Sequence, residues 1–316
     1  MQLIRGPGAI RDEHKGCVAT IGNFDGVHLG HQDILTQVRE RASEPGLPSC
    51  VMVFEPLPRE FFSRENLPAR IQTFRDKLEA LERAGIDQVL CLAFNHAFRS
   101  LTAKEFIQQI LVDGLGIRHL VVGDDFRFGC DRSGSFASLE EAGKELDFTV
   151  AHTRTVLVDG ERVSSTRIRK LLGYGHFEEA RRLLGHPFSI SGRVLHGQKL
   201  GRQLGFPTAN LRIGRRHSPV QGVYAVKVHG LEAVYNGVAN IGTRPTVFGA
   251  SERLEVHILD YDGHLYGRRI QVEFVEKIRE EQRFSQLDDL KRAIGNDIAR
   301  ARAMLAGTAP AATNVK

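Results

Sequence analysis

The spacing of apolar positions changes character near residue 185. Ahead of it, short apolar runs of strand composition at residues 17–21, 50–54, 89–94 and 119–122 alternate with stretches of helical spacing, such as Ile34, Leu35, Val38 and Ala42. Helix starts are marked: Thr73 with Asp76 leads into Leu78 and Leu81, and Thr102 with Glu105 has capping-box spacing ahead of Phe106, Ile107, Ile110 and Leu111. Alternating strands and helices predict a parallel α/β sheet, whose ligands bind beyond the carboxyl ends of the strands. A hairpin through Asp159-Gly160 follows, then a short helix over 177–184. Past Gly185-His186-Pro187 the helical pattern stops. Segments near 188–195, 223–228, 233–238, 254–259 and 270–274 have strand composition without helices between them, which predicts a small antiparallel barrel. A closing helix is expected from near Ser285, with Asp288 at capping-box spacing and Leu287, Leu290, Ile294 and Ile298 on one face. The predicted domains are 1–185 and 186–306, with a disordered tail over 307–316.

Composition narrows the class. With 41% hydrophobic and 26% charged residues the chain reads as soluble and globular. It has no apolar stretch of spanning length and no signal-peptide pattern, so a cytoplasmic protein without a membrane partner is expected. Cys17, Cys50, Cys91 and Cys130 lie far apart without metal spacing and read as reduced thiols. A net charge of +5 suits polyphosphate ligands and would also suit nucleic acid. No aromatic-rich RNA-binding pattern accompanies Arg181-Arg182 or Arg215-Arg216, which read as solvated faces, and no nucleic-acid partner is expected. A monomer or weak homo-oligomer is expected.

Candidate chemistry sits where strands end. The stretch from Thr20 to His31 runs from a strand through Gly22 and Gly26 into a helix, so His28 and His31 fall at a helix N-terminus and share one face. Gly30 between them leaves room for close approach to the backbone. The imidazoles are either anion ligands or solvated polar groups of a tight turn. Glu55-Pro56-Leu57-Pro58 follows the second strand, and Gly123 to Gly129, with Asp125, follows the fourth. Ser164, Ser165 and Thr166 open a further helix with Arg167 and Arg169 one turn inside, a phosphate site or a set of N-caps. One shared cleft accounts for the three clusters that follow strands, and the Ser164 set would be another phosphate site beside them. In the second half, Gly201 and Gly205 precede Pro207, Thr208 and Asn210, the last two being oxygen ligands on one side of an extended segment. Glu255 and His257 share one strand face while Leu254, Val256 and Ile258 take the other. Alternation alone leaves Glu255 as either a surface carboxylate or a functional one.

The H-x-G-H turn with the late Ser-Ser-Thr-x-x-Arg segment resembles the nucleotidyltransferase superfamily. Together with Gly22 to His31 and Gly123 to Gly129 it resembles the adenylyltransferase module of the prokaryotic bifunctional riboflavin kinase/FAD synthetase family. Gly205 to Asn210, Asn240 to Thr246, Glu255-x-His257 and Leu265-Tyr266-Gly267 resemble that family's kinase module, so the likeness spans nearly the whole chain. It implies a Rossmann-like nucleotidyltransferase domain plus a small antiparallel β-barrel domain with a C-terminal helix. It also implies two activities, riboflavin to FMN and FMN to FAD, with ATP and Mg²⁺. By resemblance, Gly22, Asn23, Phe24, Gly30, Asp125, Ser164, Ser165, Thr166 and Arg167 bind ATP and phosphate in the first module, and Phe62 and Phe128 contact flavin. Gly201, Gly205, Pro207, Thr208 and Asn210 bind ATP in the second, Thr208 and Asn210 hold Mg²⁺, and Glu255 is the base. The family commonly has His where this chain has Leu57.

The two reactions make different demands. A ribityl hydroxyl needs a carboxylate to take its proton, whereas the FMN phosphate, with a second pKa of about 6, is already a nucleophile. His28 and His31 are then donors to charge growing on the α-phosphate and departing pyrophosphate, without a covalent intermediate. A nucleotidyltransferase of another specificity would leave the Pro207-Thr208-Ala209-Asn210 half unexplained. An RNA-binding protein would show salt-steep binding. A flavin-carrying regulator would retain flavin without consuming ATP.

Overall fold

The computed structural model describes residues 1–62, 67, 69–197, 200–213, 217–246 and 249–306. Arg215, Arg216 and the expected tail from Gly307 lie outside them. Packing divides the chain into two units, one of residues Met1–Pro68 and Phe74–Ser164, the other of Ala69–Thr73 and Ser165–Lys316.

The first unit is built on six strands, β1 (Gln2–Arg5), β2 (Val18–Ile21), β3 (Ser49–Phe54), β4 (Gln88–Leu92), β5 (His119–Val122) and β6 (Thr149–His152), with helices α1 (Leu29–Ser43), α2 (Pro58–Phe62), α3 (Phe74–Arg83), α4 (His96–Arg99), α5 (Ala103–Phe106) and α6 (Phe136–Leu146). The sheet order is β1-β4-β3-β2-β5-β6, and every neighbouring pair is parallel. Both faces are covered, as parallel sheets require. Cys50 and Met52 of β3 enter one core with Leu111 and Leu139, while Val51 and Val53 enter the other with Leu35 and Leu81. The strand order reverses between β2 and β5, which opens a crevice at their carboxyl ends. Strand β4 stops short of the expected Phe94, whose ring instead packs against Phe54 and Phe61. A two-stranded hairpin, β7 (Leu157–Val158) and β8 (Glu161–Arg162), turns through Asp159 and Gly160 at positive φ, as the Asp-Gly pair predicts.

One half-buried group gives this unit a pH signature. His119 bonds Thr149 through Nδ1, its Nε2 is buried without a partner among the described residues, and burial, aided by Arg41, pushes its pKa down from 6.5 to about 4. Its folded-state pKa lies below the unfolded value, so stability is full above pH 6.5. It is lost as pH falls toward about 4, because only the unfolded chain takes up the proton. Thermal melts should therefore show the wild type losing more melting temperature across that window than His119→Asn. Parallel curves would assign the loss to other groups.

The second unit contains α7 (Ser165–Tyr174), α8 (Phe177–Leu184), β9 (Ser189–Leu195), α9 (Leu200–Gln203), β10 (Ala209–Arg212), β11 (Gly222–His229), β12 (Tyr235–Thr246), β13 (Gly249–Ile258), β14 (Arg269–Arg279) and α10 (Leu287–Leu305). The six strands close into an antiparallel barrel in the order β10-β13-β12-β11-β14-β9. Tyr224, Val226, Leu254 and Val256 fill its interior, and the Phe177 ring of α8 packs on Phe188, Tyr224 and Phe274. On the outer wall, Val223, Ala225, Val238 and Ile278 are covered by Ala301 and Leu305 of α10. The expected capping box at Ser285 does not form: the N-cap is Gln286, without a side-chain cap bond. Backbone pairing therefore places this helix start one residue later than the hydroxyl signal.

Candidate active sites

In the first unit, β2 delivers the chain into a turn whose Phe24, Gly26 and Val27 all have positive φ. Such strain at Val27, a β-branched residue, marks a turn held by its surroundings. Phe24 and Asp25 are buried, and Lys77 of α3, 1% exposed, donates from Nζ to the Asn23 carbonyl at 2.6 Å. His28 is the N-cap of α1, where its Nδ1 accepts the His31 N–H at 3.3 Å. A neutral His28 accepting at Nδ1 carries its proton on Nε2. The two imidazoles stack 3.6 Å apart at 14°, and the Phe24 ring lies 4.9 Å from that of His31. Gly30 gives close approach here: a Cβ would sit 3.3 Å from the His28 ring, tight enough to press on it, and 3.7 Å from the Val163 carbonyl. The space above Gly30 is thus lined by His28 itself.

Around this turn stand the other strand ends. Asp124 bonds His152, whose ring stacks on Phe136 at 3.6 Å, and Arg162 approaches the Asp125 carboxylate at 3.8 Å. Phe128 belongs to the core, 8% exposed and packed against Phe106 and Phe126, whereas Phe62 is 61% exposed with the Arg99 guanidinium 5.2 Å from its ring centre. Leu57 is buried, and its N–H donates to Glu60 at 2.9 Å. An apolar side chain suits that position. Ser164 closes the first unit, while Ser165, Thr166 and Arg167 open α7 in the second.

The second unit carries a site on the outer wall of its barrel. Glu255 stands directly opposite Asn210 of β10 on one side and Asn240 of β12 on the other, so three polar side chains form a row across adjacent strands. Leu254, Val256 and Ile258 point inward, as alternation requires. The His257 ring bonds the Pro207 carbonyl at 2.8 Å, which anchors the Pro207-Thr208 segment, and Asn210 Nδ2 lies 3.4 Å from the Thr208 carbonyl. A Cβ on Gly201 would come 3.3 Å from Thr208 Oγ1.

Two cavities meet at this row. One, of about 230 Å³, has Glu255 and Asn240 at its polar end and Phe206, Val238, Phe284 and Ile294 among its walls. The other, of about 290 Å³, is bounded by Arg202, Tyr261, His264 and Tyr266, with the His196 ring stacked on Tyr266 at 3.9 Å. Thr208 and Asn210 line both. Gly205 lies in the same loop at positive φ. Lys77 carries no sequence signal, being a charge within a helix. Asn240 opens one of the motifs of the second half, but its place directly beside Glu255 is legible only through strand register.

Comparison with known proteins covers both units. Residues 10–167 match the FAD synthetase family and residues 184–305 the riboflavin kinase family. The bifunctional riboflavin kinase/FMN adenylyltransferase of Pseudomonas fluorescens is 58% identical over 310 residues, 98% of this chain and 99% of that protein. Its namesake from Escherichia coli K12 is 50% identical over 313 residues, 98% of this chain and 100% of that one. Among solved structures, a Streptococcus pneumoniae protein described as a macrolide-efflux protein superposes with a TM-score of 0.79 at 31% identity, covering 96% of this chain and 99% of its own. Among the described residues here, no helix is long and apolar enough to cross a membrane.

Proposed function

The chain belongs to the bifunctional riboflavin kinase/FMN adenylyltransferase family, and from that premise we propose which of its residues perform each reaction. It has both activities: the C-terminal flavokinase portion phosphorylates riboflavin to FMN with ATP, and the N-terminal FAD synthetase portion adenylylates FMN to FAD. The functional boundary is drawn at Gly185 and His186, after α8.

For the kinase, the reading rests on one observation, the meeting of two cavities at Thr208 and Asn210 with Glu255 beside them. The apolar-walled cavity takes the flavin ring and the aromatic-rimmed one the nucleotide, so the ribityl 5′-hydroxyl and the γ-phosphate converge at the row. Glu255 takes the hydroxyl proton as its oxygen attacks phosphorus. No group of three or more His, Cys, Asp or Glu side chains that could hold a metal occurs among the described residues. The oxygen donors of Thr208 and Asn210 instead suit Mg²⁺, which takes few protein ligands and shares substrate phosphates. When bound, it neutralises charge on the polyphosphate.

For the adenylyltransferase, the FMN phosphate attacks the α-phosphorus of ATP and pyrophosphate departs. His28 and His31, at the N-terminus of α1, donate to the growing negative charge, where the helix dipole adds to the field. Gly22, Asn23, Phe24, Gly30 and Asp125 shape the nucleotide pocket of the first unit, with the Ser164 hydroxyl as a hydrogen-bond donor to phosphate. Phe62 stacks on the isoalloxazine, while Phe128 supports that wall from the core. Phe62→Ala should raise the FMN KM of adenylylation by about tenfold. Its melting temperature should barely move, because the ring is exposed. An unchanged KM would remove Phe62 from the flavin site. The four thiols, none in a disulfide, suit a reducing cytoplasm.

Chromatographic separation of flavins after incubation with ATP and Mg²⁺ tests the whole reading. Starting from riboflavin should yield FMN and then FAD, and starting from FMN should yield FAD. Withholding Mg²⁺ should stop both. Folded protein that forms neither product would overturn the assignment.

A further inference from the structure

The flavin cavity carries a buried ion pair to which the chemistry above gives no role. Arg279 ends β14, and Asp297 lies on α10 and is 4% exposed. Arg279 Nε donates to both Asp297 carboxylate oxygens, at 2.9 and 3.1 Å, and Nη2 donates to one at 2.7 Å. The remaining terminal nitrogen, Nη1, donates to the Glu280 carbonyl at 3.0 Å, and the guanidinium carbon lies 5.8 Å from the Phe284 ring centre. One side chain thus holds the backbone leaving the barrel, a ring of the connecting segment and a carboxylate of the closing helix. The carboxylate of Glu281 in that segment also lies against Gly242 of β12, where a Cβ would fall 2.6 Å from the Glu281 carboxyl carbon. Glu281 and Phe284 both line the cavity, as do Arg279 and Asp297.

Stability alone is a poor reason for such a pair. Desolvating two charges offsets much of their attraction, and apolar residues of similar volume often serve as well. The helix is already held by Ala301 and Leu305 against the barrel and by a two-pronged Arg302–Asp260 pair. What a planar fork adds is direction, since it fixes the angle between two elements that apolar contacts would let slide.

We propose that Arg279 and Asp297 are positioning residues for riboflavin, setting the wall made by residues 280–286 and α10 so that the bound flavin points its ribityl chain at Glu255. This rests on the reading of that cavity as the flavin site. Three variants of the full-length chain test it: Asp297→Asn, Arg279→Lys and the apolar double variant Arg279→Met with Asp297→Leu. Riboflavin KM should rise about tenfold or more in all three, while ATP KM changes by less than about twofold and FMN-to-FAD conversion persists. The double variant should recover melting temperature without recovering riboflavin KM. Recovery of both would make the pair merely structural and overturn the proposal, as would unchanged KM in the single variants or a double variant that cannot fold. Ile294→Trp separates the premise from the proposal. It fills the cavity, and a wild-type riboflavin KM in that variant would refute the flavin reading itself.

Discussion

Glu255→Gln should abolish most FMN formation while leaving FMN-to-FAD conversion at the parent rate. The amide keeps the volume of the carboxylate and its place in the row with Asn210 and Asn240, so the cavity and its strand register survive. What is lost is the acceptor for the ribityl proton. A positioned general base contributes about 10²–10⁴-fold. Because phosphoryl transfer passes through a loose transition state in which the hydroxyl stays protonated until late, the lower half of that range is expected, with kcat falling and both KM values little changed. Steady-state assays of the two half-reactions on one preparation decide it. Equal loss of both would mean that the two reactions do not use independent sites, and full retention of kinase activity would return Glu255 to the ordinary surface.

Legibility followed burial. Strands β2 to β5 stood out because burial on both faces makes them continuous apolar runs, whereas β1 and β6, at the sheet edges, expose too much to carry that signal. In the barrel, alternation exposed the outward pair Glu255 and His257 against an inward Leu254, Val256 and Ile258. Strand β10 escaped as a strand because its short Ala-Asn-Leu-Arg follows a proline-bearing loop and pairs only with distant β9 and β13. The helix-capping histidine could be read from a strand, a glycine turn and a helical stripe in succession. Lys77 and the Arg279–Asp297 pair could not. Each depends on a partner brought near by tertiary folding, and no local period relates a buried charge to a distant carbonyl or carboxylate. Phe128 shows the converse: its motif invites a ligand contact, yet its ring is mostly spent on the core.

His28→Ala should halt the pathway at FMN. Removing one donor to charge developing in the transition state costs about 10²–10³-fold in kcat. The ring also does structural work, because its Nδ1 accepts the His31 N–H, so alanine removes a helix N-cap worth about 1 kcal/mol as well. His28→Asn separates the two effects. Asparagine is a good N-cap and restores the acceptor for the His31 amide, but it does not return the imidazole Nε2–H. Donation to phosphate predicts that both variants accumulate FMN from riboflavin at the parent rate and form little FAD, with only alanine lowering the melting temperature. If capping were the whole role, His28→Asn would make FAD at the parent rate. That result would pass the developing charge to His31 and the backbone amides of α1, because the stacked pair would then hold one working ring rather than two.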